Sequence, residues 1–410
     1  MEQVAPVLEK IKLLAAELHP GLVAVRRHLH QHPELSFKEF KTSEFLASKL
    51  EEAGISFKRG YVKTGIVAVI EGKDPGAATV LLRGDMDALP IEEQNDVPYR
   101  SQNKGVMHAC GHDVHSTCAL GAALILHRLR HEWQGTVKVM FQPGEEVLPG
   151  GASLMIEEGV LDGVDKAVAL HVFPSMDAGR VGFRPGMYMA STDELRITVN
   201  GKAGHAAMPE DYINPLVIAA DILLAIEKKF MAKDALKGTP GDNIPTVVAF
   251  GRIEGKGATN IIPEKVYLEG TFRTMDENWR SSVHRQLQQI VRDVSRRYGV
   301  ISEIEILKGY PFLVNDVEFT KACAKTARLV LGENNVDDLP VRMTAEDFAF
   351  ISQKVSSCFF RLGTDNKARG ITSGVHTPTF DADEKALETG AAMMACLAVT
   401  ANNSTTKREA

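Results

Sequence analysis

Five short, nearly uninterrupted apolar runs do most to limit the folds available to this chain. Strands of this composition are buried on both faces, as in mainly parallel sheets that helices cover on each side. Apolar residues at helical spacing precede, separate and follow the runs. The sequence therefore predicts an α/β domain in which a mixed, mainly parallel sheet is sandwiched between helices. The strand runs occupy residues 65–70, 79–83, 136–141, 167–173 and 358–363. The helical patterns occupy residues 5–32, 38–53, 114–130, 319–331 and 383–399.

A second pattern, alternation of polar and apolar residues, begins near residue 190. It marks strands that are buried on one face, which are typical of antiparallel sheets. With the helical patterns between them, these strands give the order β-α-β-β-α-β of a ferredoxin-like domain. We therefore expect residues 190–307 to form a lid domain inserted into a discontinuous domain of residues 1–189 and 308–400, with a flexible tail at 401–410. The strands are expected at 193–200, 245–253, 265–273 and 302–307, and the helices at 214–230 and 278–298.

The composition narrows the setting in which such a fold would work. A chain of 410 residues is too long for one small core, so two domains are the default. Its net charge of −6 and its lack of long Lys/Arg runs argue against a nucleic-acid surface. We find no apolar run long enough to cross a membrane and no signal-peptide pattern. Five scattered cysteines do not suggest a disulfide framework, so we expect a reducing, cytoplasmic setting.

The turn that contains Cys110 and His112 carries a strong chemical signal. A thiol and an imidazole two residues apart, on a turn made flexible by Gly111, can both point at one centre. Thiolate and neutral imidazole are the side chains that best hold zinc-like ions, with manganese and cobalt as lesser options. Asp113 is expected to cap the helix that follows. Taken alone, the pair is as compatible with a buried cysteine and a structural histidine as with a metal site.

Further chemistry-bearing residues collect where the expected strands end. Asp85 and Asp87 follow one strand, Glu145 and Glu146 follow another, and His171 lies on a third. Open α/β sheets bind ligands beyond the carboxyl ends of their strands, so these side chains should meet at one edge, next to the Cys–His turn. Because neighbouring side chains diverge, one glutamate can bind a metal while the other faces a water molecule. Each group alone could be a solvated acid pair or a core histidine, and only their convergence favours a site.

Other histidines are weaker candidates. His28, His30 and His32 close the first helical pattern, and on a helix only the first and last of them share a face. We interpret these three as structural or substrate-side residues rather than metal ligands. In the expected lid domain, a loop of small residues presents His205, and a second flexible loop ends near Asn260. Loops on rigid scaffolds often carry function, which makes His205 a candidate site residue.

Together these motifs resemble one family over nearly the whole chain, from the stretch at residues 28–35 to His376-Thr377-Pro378. The family is that of the dinuclear-metal amidohydrolases, which includes hippurate hydrolase, bacterial N-acyl-amino-acid deacylases and plant auxin-conjugate hydrolases. Its superfamily also holds aminoacylases and exopeptidases. Single motifs are moderately specific, whereas the ordered set is very specific.

The resemblance implies two divalent ions per subunit, with zinc, manganese or cobalt as the metal. It implies that Glu145 is the general base and acid and that Asp87 orients a ligand. The exopeptidase branches usually carry a ligating histidine where Asp85 stands, and here the thiol and imidazole of the Cys–His turn replace it. The resemblance further implies a homodimer formed through the inserted domain, in which His205 reaches the neighbouring subunit's site and Asn260 contacts substrate. The implied metal ligands are Cys110, His112, Glu146, His171 and His376.

The expected function is therefore metal-dependent hydrolysis of the amide bond in an N-acyl amino acid. Two other interpretations stay open at this stage. In the first, Cys110 is a nucleophile and His112 is its base, which would make the protein a thiol hydrolase. In the second, the protein is a non-catalytic binder of small molecules that has kept the fold. The presence of Glu145 beside Glu146 argues against a non-catalytic role, because a binder needs no general base.

Overall fold

The computed structural model describes residues 5–230, 237 and 244–403 of this chain. The chain divides into two units, the second of which consists of Met187–Leu313 and Val341–Glu346. The segment Val341–Glu346 lies outside the range 190–307 expected from the sequence. It belongs to the second unit because its backbone pairs with the residues that open that unit: the N–H of Arg342 donates to the Tyr188 carbonyl at 2.9 Å. The expected tail is helical as far as Asn403, and the rest of it, residues 404–410, lies outside the described residues.

The helices and strands are numbered here in chain order. The helices are α1 (Ala5–Gln31), α2 (Phe40–Glu52), α3 (His112–Arg128), α4 (Gly151–Glu157), α5 (Pro215–Phe230), α6 (Glu277–Arg297), α7 (Val317–Leu331), α8 (Ala349–Ser352) and α9 (Lys385–Asn403). The strands up to the second unit are β1 (Ser56–Tyr61), β2 (Gly65–Glu71), β3 (Thr79–Asp85), β4 (Thr136–Gln142), β5 (Lys166–Asp177) and β6 (Val181–Phe183). The others are β7 (Gly186–Met189), β8 (Asp193–Asn200), β9 (Gly204–His205), β10 (Thr246–Glu254), β11 (Ile261–Ile262), β12 (Lys265–Thr274), β13 (Ser302–Lys308), β14 (Leu313–Asn315), β15 (Val336–Asp338) and β16 (Ser356–Asp365).

The first unit contains an eight-stranded sheet with the order β1-β2-β4-β3-β5-β16-β6-β15. Its central strands β4, β3, β5 and β16 are parallel to one another, and antiparallel pairs flank them. Helices α3 and α9 pack on these strands, and α1 packs on both helices. The central strands are almost completely buried, as their apolar sequences require. The prediction of a mixed, mainly parallel sheet covered by helices is confirmed.

The second unit contains a four-stranded antiparallel sheet with the order β10-β12-β8-β13. Together with α5 and α6, these strands follow one another as β-α-β-β-α-β, which confirms the ferredoxin-like arrangement. Alternate residues of β8, namely Leu195, Ile197 and Val199, are fully buried in its core. The alternation in the sequence thus reports a sheet with one face covered by helices.

Three strands of the large sheet were not expected from the sequence: β1, β6 and β15. Strand β1 is largely exposed, and the other two have only three residues each. Short or exposed strands lack the apolar pattern that identifies a buried one, because solvent accepts polar side chains there. Within the described residues, no helix is both long and apolar enough to cross a membrane.

The expectation that Asp113 caps helix α3 is wrong. The helix begins one residue earlier, at His112, and its N-cap is Gly111 with a φ of 80°. A Cβ at Gly111 would lie 2.6 Å from Cγ2 of Val172, so only glycine fits this turn. Asp113 is instead fully buried in the first helical turn, where it binds side chains of α1.

Two of the three histidines at the end of α1, His28 and His30, contact residues outside the set of candidate metal ligands. The carboxylate of Asp113 accepts hydrogen bonds from Nε of Arg26 and Nδ1 of His30, both at 2.8 Å. Burial would raise the pKa of Asp113, but the charges of Arg26 and His30 hold it well below its ordinary value. His28 stacks on the ring of Phe45 with centroids 3.9 Å apart. His28 and His30 therefore have structural contacts that account for their positions.

Candidate active site

The Cys110 turn brings three side chains from distant elements together. Nε2 of His376 lies 3.3 Å from Sγ of Cys110, and Nε2 of His171, on β5, lies 3.5 Å from the same sulfur. The loop that carries His376 is tied to the turn through its backbone, since the His376 N–H donates to the Ala109 carbonyl at 2.7 Å. Nδ1 of His171 pairs with the Val172 carbonyl at 2.8 Å, so the proton on Nδ1 leaves Nε2 free to accept or ligate.

Glu146 completes the group from the turn after β4. Its Oε1 lies 3.1 Å from Nε2 of His376 and 3.8 Å from Nε2 of His112. A sixth side chain, Glu145, shares this space, because one ligand atom each of His112, Glu145 and Glu146 lies within 4.8 Å of the others. The structure therefore brings together all the residues that the sequence analysis named as metal ligands, with Glu145 beside them: Cys110, His112, Glu146, His171 and His376.

Asp87 orients His112 from the loop after β3. Its Oδ1 lies 3.1 Å from Nδ1 of His112. A carboxylate only accepts, so Nδ1 carries a proton, and Nε2 is the ring nitrogen that can bind a cation in the site. The other oxygen of Asp87 accepts from Oγ of Ser36 at 2.6 Å and from the Glu146 N–H at 3.0 Å. One carboxylate thus sets the orientation of His112 and of the backbone that carries Glu146.

The residues of the cluster fit a metal ion. Nε2 of His112 is buried and, among the described residues, has no hydrogen-bond partner. Buried polar atoms are rarely left without a partner, and those that are call for an ion, a water molecule or a catalytic role. One thiol, three imidazoles and a carboxylate are a donor set suited to zinc and its neighbours.

Two arginine-linked carboxylates underlie the site, and one of them, Asp347, was not identified from the sequence. Arg83, on β3, forms ion pairs with Asp85 and with Asp347, the latter at 2.9 Å. The Asp347 carboxylate also accepts from Nε2 of Gln142 at 2.7 Å. The backbone N–H of Asp347 donates to Oε1 of Glu145 at 3.3 Å. A buried arginine in an apolar strand needs anionic partners, so Arg83 was a signal of such a network, although its partners could not be read from the pattern.

The carboxylate of Asp85 belongs to this network and is occupied by its partners there. Its Oδ1 lies 2.7 Å from Nδ1 of His115, and Nε2 of His115 accepts from the Val172 N–H at 2.9 Å. Both ring nitrogens of His115 are therefore engaged, so a cluster of Asp85, His112 and His115 offers no free imidazole for a metal beyond His112. Burial would raise the pKa of Asp85, but the charges of Arg83, His112 and His115 hold it well below its ordinary value.

The buried carboxylates of the site shift the pKa values of the side chains beside them. Burial would lower the pKa of His112, but the charges of Asp85, Asp87 and Glu146 outweigh burial and raise that pKa to about 10. Burial, and then the charges of Glu146 and Glu145, raise the pKa of the Cys110 thiol well above its ordinary value. A cation added to this space would oppose both effects.

His205 and Asn260 lie together in the second unit. Strand β9, which ends at His205, pairs with β11, and the Ala206 N–H donates to the Asn260 carbonyl at 3.0 Å. Both residues are exposed. Nδ1 of His205 accepts from the Ala207 N–H at 3.1 Å, so the proton is on Nε2, which is an exposed donor. The roles predicted for His205 and Asn260 stay predictions.

Comparison with known proteins identifies relatives over almost the full length of the chain. Thermostable carboxypeptidase 2 of Saccharolobus solfataricus is 37% identical over 401 residues, which are 97% of this chain and 99% of that protein. N-acetyl-L-cysteine deacetylase of Bacillus subtilis is 35% identical over 373 residues, which are 90% of this chain and 85% of that protein.

A solved structure extends the likeness to the fold. The crystal structure of the Bacillus subtilis YXEP protein, described as a dinuclear metal binding peptidase from the M20 family, matches with a TM-score of 0.80 and 32% identity. The match covers 95% of this chain and 100% of that chain. The resemblance to dinuclear-metal amidohydrolases that the motifs suggested is thereby confirmed at the level of the family.

The family model for Peptidase family M20/M25/M40 matches residues 81–400. Relatives with hydrolase names match nine tenths or more of the chain, and the chain carries candidate groups of metal ligands. This protein therefore belongs to Peptidase family M20/M25/M40, as a hydrolase of the amidohydrolase or peptidase kind.

Proposed function

We propose that this protein hydrolyses the amide bond of N-acyl amino acids with small acyl groups such as acetyl or benzoyl. The observation that carries the proposal is the convergence of a thiol, three imidazoles and the Glu146 carboxylate beside a second buried carboxylate, Glu145. Such an arrangement suits a metal-dependent hydrolase with a general base of its own. The relative named N-acetyl-L-cysteine deacetylase supports the substrate class.

Two divalent ions would be held by Cys110, His112, Glu146, His171 and His376, with zinc, manganese or cobalt as candidates. Bound divalent cations lower the pKa of water to about 7 and stabilise the negative charge that develops on an amide oxygen. Asp87 would keep His112 in the tautomer whose Nε2 is a ligand, because it accepts the proton on Nδ1.

Glu145 would move the protons of the reaction. Its carboxylate is only 8% exposed, so water competes little for it, and its Oε1 accepts from the Asp347 N–H. In the proposed reaction Glu145 takes a proton from the attacking water and passes it to the nitrogen of the leaving amine. General acid–base catalysis of this kind contributes about 10²–10⁴-fold.

His205 and Asn260 are the proposed substrate contacts of the second unit. The exposed Nε2–H of His205 is a donor suited to an oxyanion, and Asn260 offers an amide to the substrate carboxylate. If the neighbouring subunit supplies His205, the enzyme must be a homodimer or a higher oligomer. Apolar side chains on α5 and β10 support a dimer through this unit, since Leu224 is 66% and Ile253 53% exposed. Light scattering after size exclusion should give twice the mass of one chain.

The main rival is a thiol hydrolase with Cys110 as nucleophile and His112 as base. The contacts disfavour it, because the nitrogens next to Sγ of Cys110 belong to His171 and His376. Dialysis against dipicolinate distinguishes the two. A metal-dependent enzyme loses its activity and regains it with added zinc, manganese or cobalt, whereas a thiol hydrolase stays active without metal.

One panel of substrates tests the proposal. N-acetyl, N-benzoyl and indole-acetyl amino acids are each incubated with enzyme loaded with zinc, manganese or cobalt, and the released amino acid is measured. Dipeptides and a longer peptide serve as comparison substrates. The proposal expects kcat/KM for at least one N-acyl amino acid to exceed that for every peptide. Release of carboxyl-terminal residues from peptides with no cleavage of N-acyl amino acids would instead show a carboxypeptidase, in line with the relative of that name.

A further inference from the structure

Glu39 is a buried carboxylate that the proposed mechanism does not use. It precedes α2 and follows the turn at Ser36 and Phe37, and its side chain is 0% exposed. Among the described residues no lysine, arginine or histidine forms an ion pair with it. Burial of an unpaired carboxylate costs stability, so a role other than stabilisation should account for Glu39.

The carboxylate of Glu39 connects two separate turns. Its Oε1 accepts from the Phe37 N–H at 2.8 Å and from the Gly144 N–H at 2.9 Å. Its Oε2 accepts from Oγ1 of Thr64 at 2.9 Å. The bond to Gly144 crosses from the α1–α2 connection to the turn after β4, at the residue directly before Glu145.

The two turns also contact each other. Gly144 has a φ of 62°, and a Cβ there would lie 2.4 Å from Cε1 of Phe37, so the ring packs directly on the glycine backbone. Phe37 itself has a φ of 62°, a backbone conformation that is strained for a bulky residue. The contacts that hold Phe37 in this conformation are the ones that hold Gly144 in place.

The same segment reaches the other side of the site. Oγ of Ser36 donates to Oδ2 of Asp87, whose Oδ1 lies 3.1 Å from Nδ1 of His112. The stretch Ser36–Glu39 thus contacts both the residue that orients His112 and the turn that carries Glu145. A shift of this stretch would therefore displace Asp87 and the turn before Glu145 at the same time.

We propose that Glu39 is a positioning residue for the hydrolysis: by accepting the Gly144 N–H together with the Phe37 N–H, it fixes the backbone from which the Glu145 carboxylate projects. This inference rests on the proposed function, since it assigns Glu39 a role in placing the general base. This role requires an acceptor oxygen within hydrogen-bond distance of the Phe37 and Gly144 amides, and it does not require a negative charge.

Three variants separate acceptor geometry from charge. Glu39→Gln keeps an oxygen in the position of Oε1, and its amide can donate to Oγ1 of Thr64. Glu39→Asp keeps the charge but is one methylene shorter, so it cannot reach both amides. We expect kcat of Glu39→Gln to stay within about 3-fold of wild type and kcat of Glu39→Asp to fall about 10–100-fold, because small misplacements of a catalytic group have effects of this size. KM and metal content should change little in either variant. Thr64→Val, which removes only the donor to Oε2, should lower kcat less than Glu39→Asp.

Glu34→Gln is the matched control. Oε2 of Glu34 accepts from the N–H and Oγ1 of Thr42 at 2.9 and 3.0 Å, so it too binds a backbone amide and a threonine, but it does not contact Gly144. Its thermal stability should change while its kcat does not. A kcat of Glu39→Asp equal to that of wild type would overturn the inference, as would a Glu39→Gln variant as slow as Glu39→Asp.

Hydrogen exchange makes the test independent of the substrate. In the wild type the Gly144 amide should be protected, and the protection should be lost in Glu39→Asp and kept in Glu39→Gln. If the wild type cleaves no N-acyl amino acid, the proposed function fails. The kcat of the variants is then compared on the peptide that the wild type does cleave. Loss of the Gly144 protection in Glu39→Asp with no loss of kcat on the cleaved substrate would overturn the positioning role alone.

Discussion

The backbone N–H of Asp347 donates to Oε1 of Glu145 at 3.3 Å, across 202 positions of sequence. The carboxylate of the same aspartate is bound by Arg83, by Gln142 and by the N–H of Ala152. The proposed general base is thus held by a residue whose own position is fixed by a buried polar network. The role of Glu145 in proton transfer and the role of the network around Asp347 can be tested by separate variants.

Glu145→Gln should leave the metal content unchanged and lower kcat by about two to four orders of magnitude, because an amide cannot accept and return the proton. Metal content is measured by atomic emission and kcat with the best substrate of the panel. Glu157→Gln, on the exposed side of α4, is the control and should keep full activity. Near-normal turnover of Glu145→Gln on every substrate would show that another group is the base.

Cys110→Ser should lose metal as well as activity, since a serine hydroxyl is a far poorer ligand than a thiolate. Cys396→Ala serves as the control: this thiol is also buried, but it lies on α9 in the apolar core. It should bind metal as wild type does. Full metal occupancy in Cys110→Ser would count against ligation by the sulfur.

Arg83→Met should destabilise the first unit by about 3–5 kcal/mol, because it leaves the buried carboxylates of Asp85 and Asp347 without their partner. Urea denaturation of metal-free protein measures the loss. Arg180→Met is the control, since the pair of Arg180 with Asp337 is partly exposed and such pairs contribute at most about 1 kcal/mol. Equal urea midpoints for the two variants would contradict the importance of the buried network.

Glu39→Gln should change how stability depends on pH. Burial, and then the charge of Asp87, raise the pKa of Glu39 from 4.5 to about 7. The folded protein therefore binds this proton more tightly than the unfolded chain does. The contribution of Glu39 to stability is most favourable below pH 4.5 and falls by up to about 3 kcal/mol as the pH rises to about 7. The urea midpoint of the variant relative to wild type should rise across this window and be level above it, and a difference that does not vary with pH would contradict the cause given for the shift.

Much of the fold could be predicted because its signals are local. The apolar runs of β3, β4, β5 and β16 and the alternation of β8 each reflect burial, which acts on every residue of a strand. Edge strands such as β1 escaped prediction because exposure removes that constraint. The start of α3 was misjudged because Gly111 is required by a contact with Val172, which lies on another strand.

The sequence by itself determined that this chain forms a helix-covered sheet with an inserted ferredoxin-like unit, and that acids, histidines and a cysteine stand near the ends of its strands. Only the tertiary structure decided which of them face one another. It turned Asp85 towards Arg83 and His115, made Asp113 a partner of Arg26, and gave Glu145 a hydrogen bond from Asp347 and Glu39 one from Gly144. The reason is physical: the spacing of apolar residues that predicts a helix or a strand can be read from near neighbours in sequence, whereas a hydrogen bond between side chains depends on where distant segments meet.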